Sequence, residues 1–89
     1  MELEQLRIFA AVAKYKSFSE AARRLYISHS TTSRAVSALE KELGVWLLER
    51  DNHVTALTAA GEVLLEEGEK LLELEREIAE KVRAAGKES

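Results

Sequence analysis

Cysteine and proline are absent from this 89-residue chain, and so are long hydrophobic runs. Without cysteine the chain can form neither a disulfide bond nor a thiolate metal site, and this lack is consistent with a reducing compartment. No apolar run approaches the about 18 residues of a membrane-spanning helix, and the N-terminus lacks the basic-then-apolar pattern of a secretion signal. We therefore expect a cytoplasmic protein.

The size of the chain allows a single small domain. A hydrophobic core built from 89 residues is marginal in stability, and cysteine crosslinks are not available to strengthen it. Dimerisation is the obvious remaining source of stability.

The charge of the chain is unevenly distributed. The formal net charge is −3, but residues 1–57 carry eight Lys or Arg against seven Asp or Glu, whereas residues 58–89 carry five against nine. The acidic excess therefore lies in the C-terminal third. The N-terminal part is only weakly basic, so we expect a modest number of phosphate contacts if it binds nucleic acid.

Hydrophobic spacing predicts the elements that flank the centre of the chain. Apolar residues at helical spacing predict an amphipathic helix over residues 3–15. Residues 45–57 are the best candidate for β structure and read as a two-stranded wing with a polar tip. Thr58 is a predicted N-cap for a long helix over about residues 59–85.

Residues 17–43 predict two short helices joined by a tight turn. Ser17 and Glu20 have the spacing of a capping box at the start of the first helix. Ser28 is the predicted N-cap of the second helix, and Gly44 is its predicted C-terminal stop. This layout is typical of a helix-turn-helix, whose second helix enters the major groove of DNA.

The second helix of this pair has two different faces. Val36, Leu39 and Leu43 are spaced to pack on a core. Its first two turns carry short polar side chains and one arginine, which suit base edges and phosphate oxygens. These residues are His29, Ser30, Thr31, Thr32, Ser33, Arg34 and Ser37.

The order of these motifs resembles a known family. From Met1 to about Leu65, the stretches MELEQLRIFAAVAKYKSFSEAARRLYIS, TSRAVSALEKELGVWLLER and LTAAGEVLL resemble the N-terminal winged helix-turn-helix of LysR-type transcriptional regulators. The resemblance implies a mainly α fold, with three helices and a two-stranded wing over residues 1–57 and a linker helix over residues 58–89. It also implies a DNA-binding dimer and a larger C-terminal effector-binding domain that is absent here.

Two places depart from the family pattern. Relatives commonly carry Arg or Lys along the wing, whereas this wing has Arg50 followed by Asp51, Asn52 and His53. Relatives often have Gln-Pro after the N-cap serine, where this chain has His29 and Ser30. The base preference of relatives therefore cannot be transferred. The full set of expected DNA contacts is Ser17, Ser28, His29, Ser30, Thr31, Thr32, Ser33, Arg34, Ser37, Arg50, Asn52 and His53.

The C-terminal helix carries an apolar stripe that one small domain cannot cover. The stripe predicts pairing with a partner helix, and the resemblance implies that the two helices run antiparallel. Gly68 would allow another helix to approach closely. The alternative is an exposed tether stiffened by charge pairs within the helix. The expected dimerisation residues are Leu64, Leu71, Leu74, Ile78 and Val82.

The sequence offers little for catalysis. It contains no glycine-rich phosphate loop, no metal-spaced cluster and no paired nucleophile and base, so we expect neither an enzyme nor a cofactor. Trp46 is interpreted as a half-exposed packing residue. Besides DNA binding by a LysR-type domain, two hypotheses stay open: a dimerisation or protein-interaction module with weakened DNA contacts, and a winged-helix domain of the molybdate-responsive kind.

Overall fold

A computed structural model describes residues 1–49 and 55–88 of the chain. Within these residues the secondary structure is helical, and the first helix has the predicted bounds, whereas the last extends two residues beyond the predicted end. The helices are α1 (Leu3–Tyr15), α2 (Phe18–Leu25), α3 (His29–Leu43) and α4 (Ala59–Lys87). None of them is long and apolar enough to cross a lipid bilayer.

The predicted helix caps are confirmed. In each of three helices a hydroxyl oxygen accepts a hydrogen bond from the amide three residues later, which satisfies a donor that the helix leaves free. The pairs are Ser17 with the Glu20 amide, Ser28 with the Thr31 amide and Thr58 with the Gly61 amide, each at 3.0 Å. Gly44 ends α3 with a φ of 71°, and its N–H donates to the Glu40 carbonyl at 2.8 Å.

The N-terminal helices and the segment after α3 share one hydrophobic core. Its buried members are Phe9, Val12, Ala21, Val36, Leu39, Leu47 and Leu48. Leu43, which was expected on the core face of α3, is instead 41% exposed, in the last turn of the helix and outside the core cluster. The core therefore fixes α3 through its middle turns.

Helix α4 packs against α1 along its first half. A Cβ atom added at Gly68 would stand 2.8 Å from a methyl group of Leu6, so the missing side chain allows close contact with α1. Farther along, an Arg7 Nη2 atom donates to the Glu75 carboxylate at 2.9 Å. Gly68 was expected to let a partner helix approach, whereas the helix packed against it in the structure is α1 of the same chain.

The base of the predicted wing is present. The Glu49 amide donates to the Ala56 carbonyl at 2.8 Å, and the Thr58 amide donates to the Leu47 carbonyl at 3.0 Å. These bonds flank an antiparallel bridge between Leu48 and Leu57. The wing tip, with the predicted contacts Arg50, Asn52 and His53, lies outside the described residues.

Of the three glycines of α4, Gly61 has the closest neighbouring atom. A Cβ atom there would stand 2.1 Å from the carbonyl oxygen of Leu47, which is backbone and cannot rotate away. We expect Gly61→Ala to lower the free energy of unfolding by about 1–3 kcal/mol in urea denaturation, because the α4 start must separate from the wing base. Gly86→Ala is the matched control, since a Cβ atom at Gly86 meets open space. A neutral Gly61→Ala variant would contradict this packing.

Candidate nucleic-acid interface

One narrow stripe of exposed polar residues follows the outer face of α3. Ser30, Arg34, Ser37 and Lys41 are all exposed, and their spacing of four, three and four residues keeps them on the same side of the helix. The opposite side is occupied by Val36 and Leu39 in the core. The stripe thus combines two cations with two hydroxyl groups that can donate and accept hydrogen bonds.

Thr32 does not belong to this surface. Its side chain is fully buried, and its Oγ1 atom donates to the Ser28 carbonyl at 3.0 Å. The prediction that Thr32 contacts DNA is wrong, because Thr32 lies four residues before Val36 and seven before Leu39 and therefore on the core side of α3. Ser33 lies at the edge of the stripe and is partly buried.

The N-terminal end of α3 is exposed and is stabilised by local hydrogen bonds. The Ser28 hydroxyl donates to the Thr31 Oγ1 atom at 2.9 Å while it accepts the Thr31 amide. The imidazole ring of His29 lies 6.0 Å from the Phe18 ring, centroid to centroid, at an interplanar angle of 42°. Phe18 itself packs against the hydrophobic core. The His29 ring is therefore held beside a fixed aromatic while it faces solvent.

Ser17, at the start of α2, is partly buried, and its oxygen accepts the Glu20 amide. A hydroxyl that accepts one hydrogen bond can still donate its own proton. Ser17 can therefore contact a phosphate oxygen without giving up its role as a cap.

The cations of α2 and α3 differ in their partners. Arg24 Nε donates to the Glu20 carboxylate at 2.8 Å, and Arg23 contacts the same group. The hydrogen bond from Arg24, followed by that from Arg23, holds the pKa of Glu20 below its usual value. The predicted capping box is therefore only half formed, because the Glu20 side chain binds these arginines.

By contrast, Arg34 and Lys41 form no ion pair with any residue in the part of the chain that the structure describes. Their charges can therefore meet an anion without the loss of an existing pair. Lys41 is absent from the predicted contacts, although its spacing from Arg34 and Ser37 signals the same face.

Glu40 links α3 to the wing base. It is 5% exposed, and its Oε2 atom accepts the amide of Leu47 at 2.9 Å and that of Leu48 at 3.4 Å. Sequence reasoning missed this residue because a glutamate on an amphipathic helix is usually solvated. Among the described residues there is no group of three side chains placed to hold a metal ion.

A second surface follows α4. Leu71, Leu74, Ile78 and Val82 are exposed, at 42–65%, and lie at helical spacing. Leu64 was expected to belong with them but is partly buried and packs against the core of its own chain. It is therefore a less suitable dimerisation residue than the other four.

The chain is similar to known proteins over most of its length. Residues 3–62 match the protein family described as "bacterial regulatory helix-turn-helix protein, lysR family". The chain belongs to the lysR family. Membership in this family confirms the resemblance to LysR-type regulators. It argues against the hypothesis of a winged-helix domain of the molybdate-responsive kind.

Curated lysR-type relatives extend well beyond this chain. The transcriptional regulator TcbR of Pseudomonas sp. strain P51 is 42% identical over 87 residues, which cover 98% of this chain and 30% of the relative. A probable RuBisCO transcriptional regulator of Trieres chinensis is 43% identical over 72 residues, which cover 81% of this chain and 23% of the relative. The chain thus spans less than a third of the length of these relatives.

Solved structures of lysR-type domains match the fold. The DNA-binding domain of CbnR, in a complex with DNA, has a TM-score of 0.90 at 43% identity, and the match covers 97% of this chain and 99% of that one. The BenM DNA-binding domain, in a complex with benA site 1 DNA, has a TM-score of 0.92 at 35% identity, with 96% and 99% coverage. This chain therefore has the fold of the winged helix-turn-helix of the lysR family.

The hydrogen bonds that Glu40 accepts from Leu47 and Leu48 should contribute to the stability of the fold. We expect Glu40→Ala to lower the free energy of unfolding by about 1–3 kcal/mol, because two buried amides lose their acceptor. Glu42→Ala serves as the control: Glu42 forms an exposed ion pair with the N-terminal amine, and such pairs contribute about 0–1 kcal/mol. Urea denaturation of both variants measures the difference, and equal losses would contradict the role given to Glu40.

Proposed function

We propose that this chain is the N-terminal domain of a transcriptional regulator and binds double-stranded DNA in a sequence-specific manner, with α3 in the major groove. The observation that carries the proposal is the stripe of Ser30, Arg34, Ser37 and Lys41, whose two cations have no described protein partner. Arg34 is placed to read a base edge or to contact a phosphate. The hydroxyl groups are placed to contact bases or the DNA backbone.

Further contacts flank the stripe. We place Ser28, His29 and Thr31 at the N-terminal end of α3, and Ser17 at the start of α2 beside the DNA backbone. Ser33 is assigned to the edge of the stripe. The wing residues Arg50, Asn52 and His53 are proposed to contact the flanking DNA on the strength of the family pattern.

We further propose that the domain acts as a homodimer joined through the exposed stripe of α4. Large exposed apolar patches mark interaction sites, and the exposed residues Leu71, Leu74, Ile78 and Val82 extend along one helix. A symmetric pair of domains would address two half-sites about one turn of DNA apart, or a multiple of it.

Beyond this domain, the length of the relatives supports a larger protein. We propose that α4 leads to a C-terminal effector-binding domain and that the complete protein acts in the cytoplasm. Its activity would be regulated binding and would not involve catalysis. Acidic residues outnumber basic residues in residues 58–89, a segment that contains none of the proposed DNA contacts. This distribution fits a DNA-binding part followed by a linker helix.

Selection from a random duplex library tests the central proposal. Duplexes of about 30 bp that are retained by the purified chain would be sequenced and then titrated by fluorescence anisotropy beside a scrambled duplex. We expect an enriched motif and at least about tenfold tighter binding of the selected duplex at physiological salt. A chain that forms dimers but enriches no motif would instead be a dimerisation or protein-interaction module.

Arg34 provides the sharpest point mutation. We expect Arg34→Ala to weaken binding of the selected duplex by about 1–3 kcal/mol and to relax the preference at one position if the side chain reads a base. If it contacts only phosphate, all duplexes should weaken alike and the salt slope should fall by about one. Arg83→Ala, an exposed arginine near the end of α4, is the control. Unchanged affinity and salt slope would place Arg34 outside the interface.

The dimer proposal has its own test. We expect the double variant with Leu71→Glu and Ile78→Glu to sediment as a monomer at concentrations where the unmodified chain is a dimer, because paired carboxylates would face an apolar seam. The control replaces Arg83 and Lys87 by Glu, which adds more negative charge on another face of the same helix. Loss of the dimer in the control, or a monomeric native chain at about millimolar concentration, would contradict the assignment.

A further inference from the structure

An exposed apolar corner lies where α3 ends and the wing begins. Leu43, Val45 and Trp46 are exposed there, and Trp46 is 62% exposed, although the indole is the largest apolar side chain of the protein. The expectation of a half-exposed packing residue thus understates its exposure. A cluster of large apolar side chains at one surface point marks an interaction site more often than a packing remnant.

The corner is continuous with the stripe of α3. Trp46 and Val45 share an open groove of about 670 Å³ with Ser37 and Lys41, which form the C-terminal half of the stripe. The remaining lining residues are Gly44 and Glu40, whose carboxylate accepts the amides of Leu47 and Leu48. The groove therefore joins an apolar wall to one accessible cation and one hydroxyl group.

Two hydrogen bonds fix the peptide group that joins Trp46 to Leu47. The Thr58 hydroxyl donates to the Trp46 carbonyl at 2.7 Å, and Glu40 accepts the amide of the next residue, Leu47, at 2.9 Å. The exposed indole is therefore borne by a rigid part of the fold. A fixed position lowers the entropy cost of placing the indole against a binding partner.

The length of the stripe indicates which partner the corner meets. Lys41 lies eleven positions after Ser30, and at a rise of about 1.5 Å per residue the two are about 16 Å apart along the helix axis. The major groove is only about 12 Å wide. Because a recognition helix contacts base edges with its N-terminal residues, the C-terminal end of a stripe this long, with Lys41 and the adjoining corner, is placed toward the sugar–phosphate backbone.

We infer that Trp46 is a DNA-backbone contact, in which the exposed indole packs against a deoxyribose next to a phosphate that Lys41 contacts. This inference rests on the proposed DNA binding. The deoxyribose ring offers an apolar surface to the exposed part of the indole, and the Lys41 ammonium group is a donor that suits phosphate. The contact carries no base preference, so it sets the orientation of α3 and adds affinity to every sequence.

Tryptophan fluorescence tests this contact directly, because Trp46 is the only tryptophan of the chain. The native chain would be titrated with the selected duplex and with the scrambled duplex, while anisotropy of the labelled DNA reports saturation. We expect the emission of Trp46 to change at saturation and its acrylamide quenching constant to fall at least about twofold. Unchanged emission and quenching with fully bound DNA would overturn the inference and leave the proposed DNA binding intact.

Variants separate the contact from a structural role. We expect Trp46→Ala to weaken the selected and the scrambled duplex by a similar factor of about 3- to 30-fold, with the unfolding midpoint unchanged. Trp46→Phe should recover part of this loss, because the smaller aromatic ring keeps part of the apolar packing. Val63→Ala, an exposed apolar residue of α4, is the matched control and should bind like the native chain. A loss confined to the selected duplex, or no loss, would contradict a backbone contact.

A second copy of the chain is the competing partner for the corner. If a second copy of the chain covered this corner, the emission of Trp46 without DNA would change with protein concentration. The change would persist in the double variant Leu71→Glu and Ile78→Glu, in which the α4 stripe cannot pair. We expect the emission of that variant without DNA to be independent of protein concentration. A concentration dependence there would overturn the inference, whereas failure to bind any duplex would overturn the proposed function as well.

Discussion

The burial of one face of α3 is the constraint on which the proposed interface depends. Val36 and Leu39 are buried in the same core as Phe9 and Val12, so α3 cannot rotate about its axis. Because the helix has a period of 3.6 residues, fixing the inner face also fixes which residues point outward. The exposed stripe that begins at Ser30 is thus a consequence of core packing on the opposite side.

The cations of the domain fall into those that pair within the chain and those on the outer face of α3. The arginines of α2 pair with Glu20, and Arg7 of α1 pairs with Glu75 of α4, so these cations stabilise contacts within the chain. The cations on the outer face of α3 have no such partner in the described parts of the chain. A domain with a net negative charge can therefore still present positive charge at one surface, since local pairing decides which cations are available.

Local signals in the sequence predicted the helices, because caps and hydrophobic spacing depend on residues within a few positions of one another. Ser28 and Gly44 thus marked the ends of α3 correctly. Thr32 was assigned to the DNA-facing surface because it lies within a run of polar residues. The apolar stripe of α4 does not show from sequence that Leu64 packs against the core of its own chain. The burial of Glu40 and the exposure of Trp46 depend on where the chain returns after α3, which no local pattern specifies.

The surface of α3 that meets DNA is the central claim, and amide chemical-shift mapping with the selected duplex tests it most directly. The account predicts that the largest changes on binding fall on the outward residues of α3, at Ser30, Arg34, Ser37 and Lys41, and continue to the Trp46 indole N–H. Helix α4 beyond Leu71 should change little. Changes confined to α4, or an undisturbed α3 at full saturation, would contradict the account.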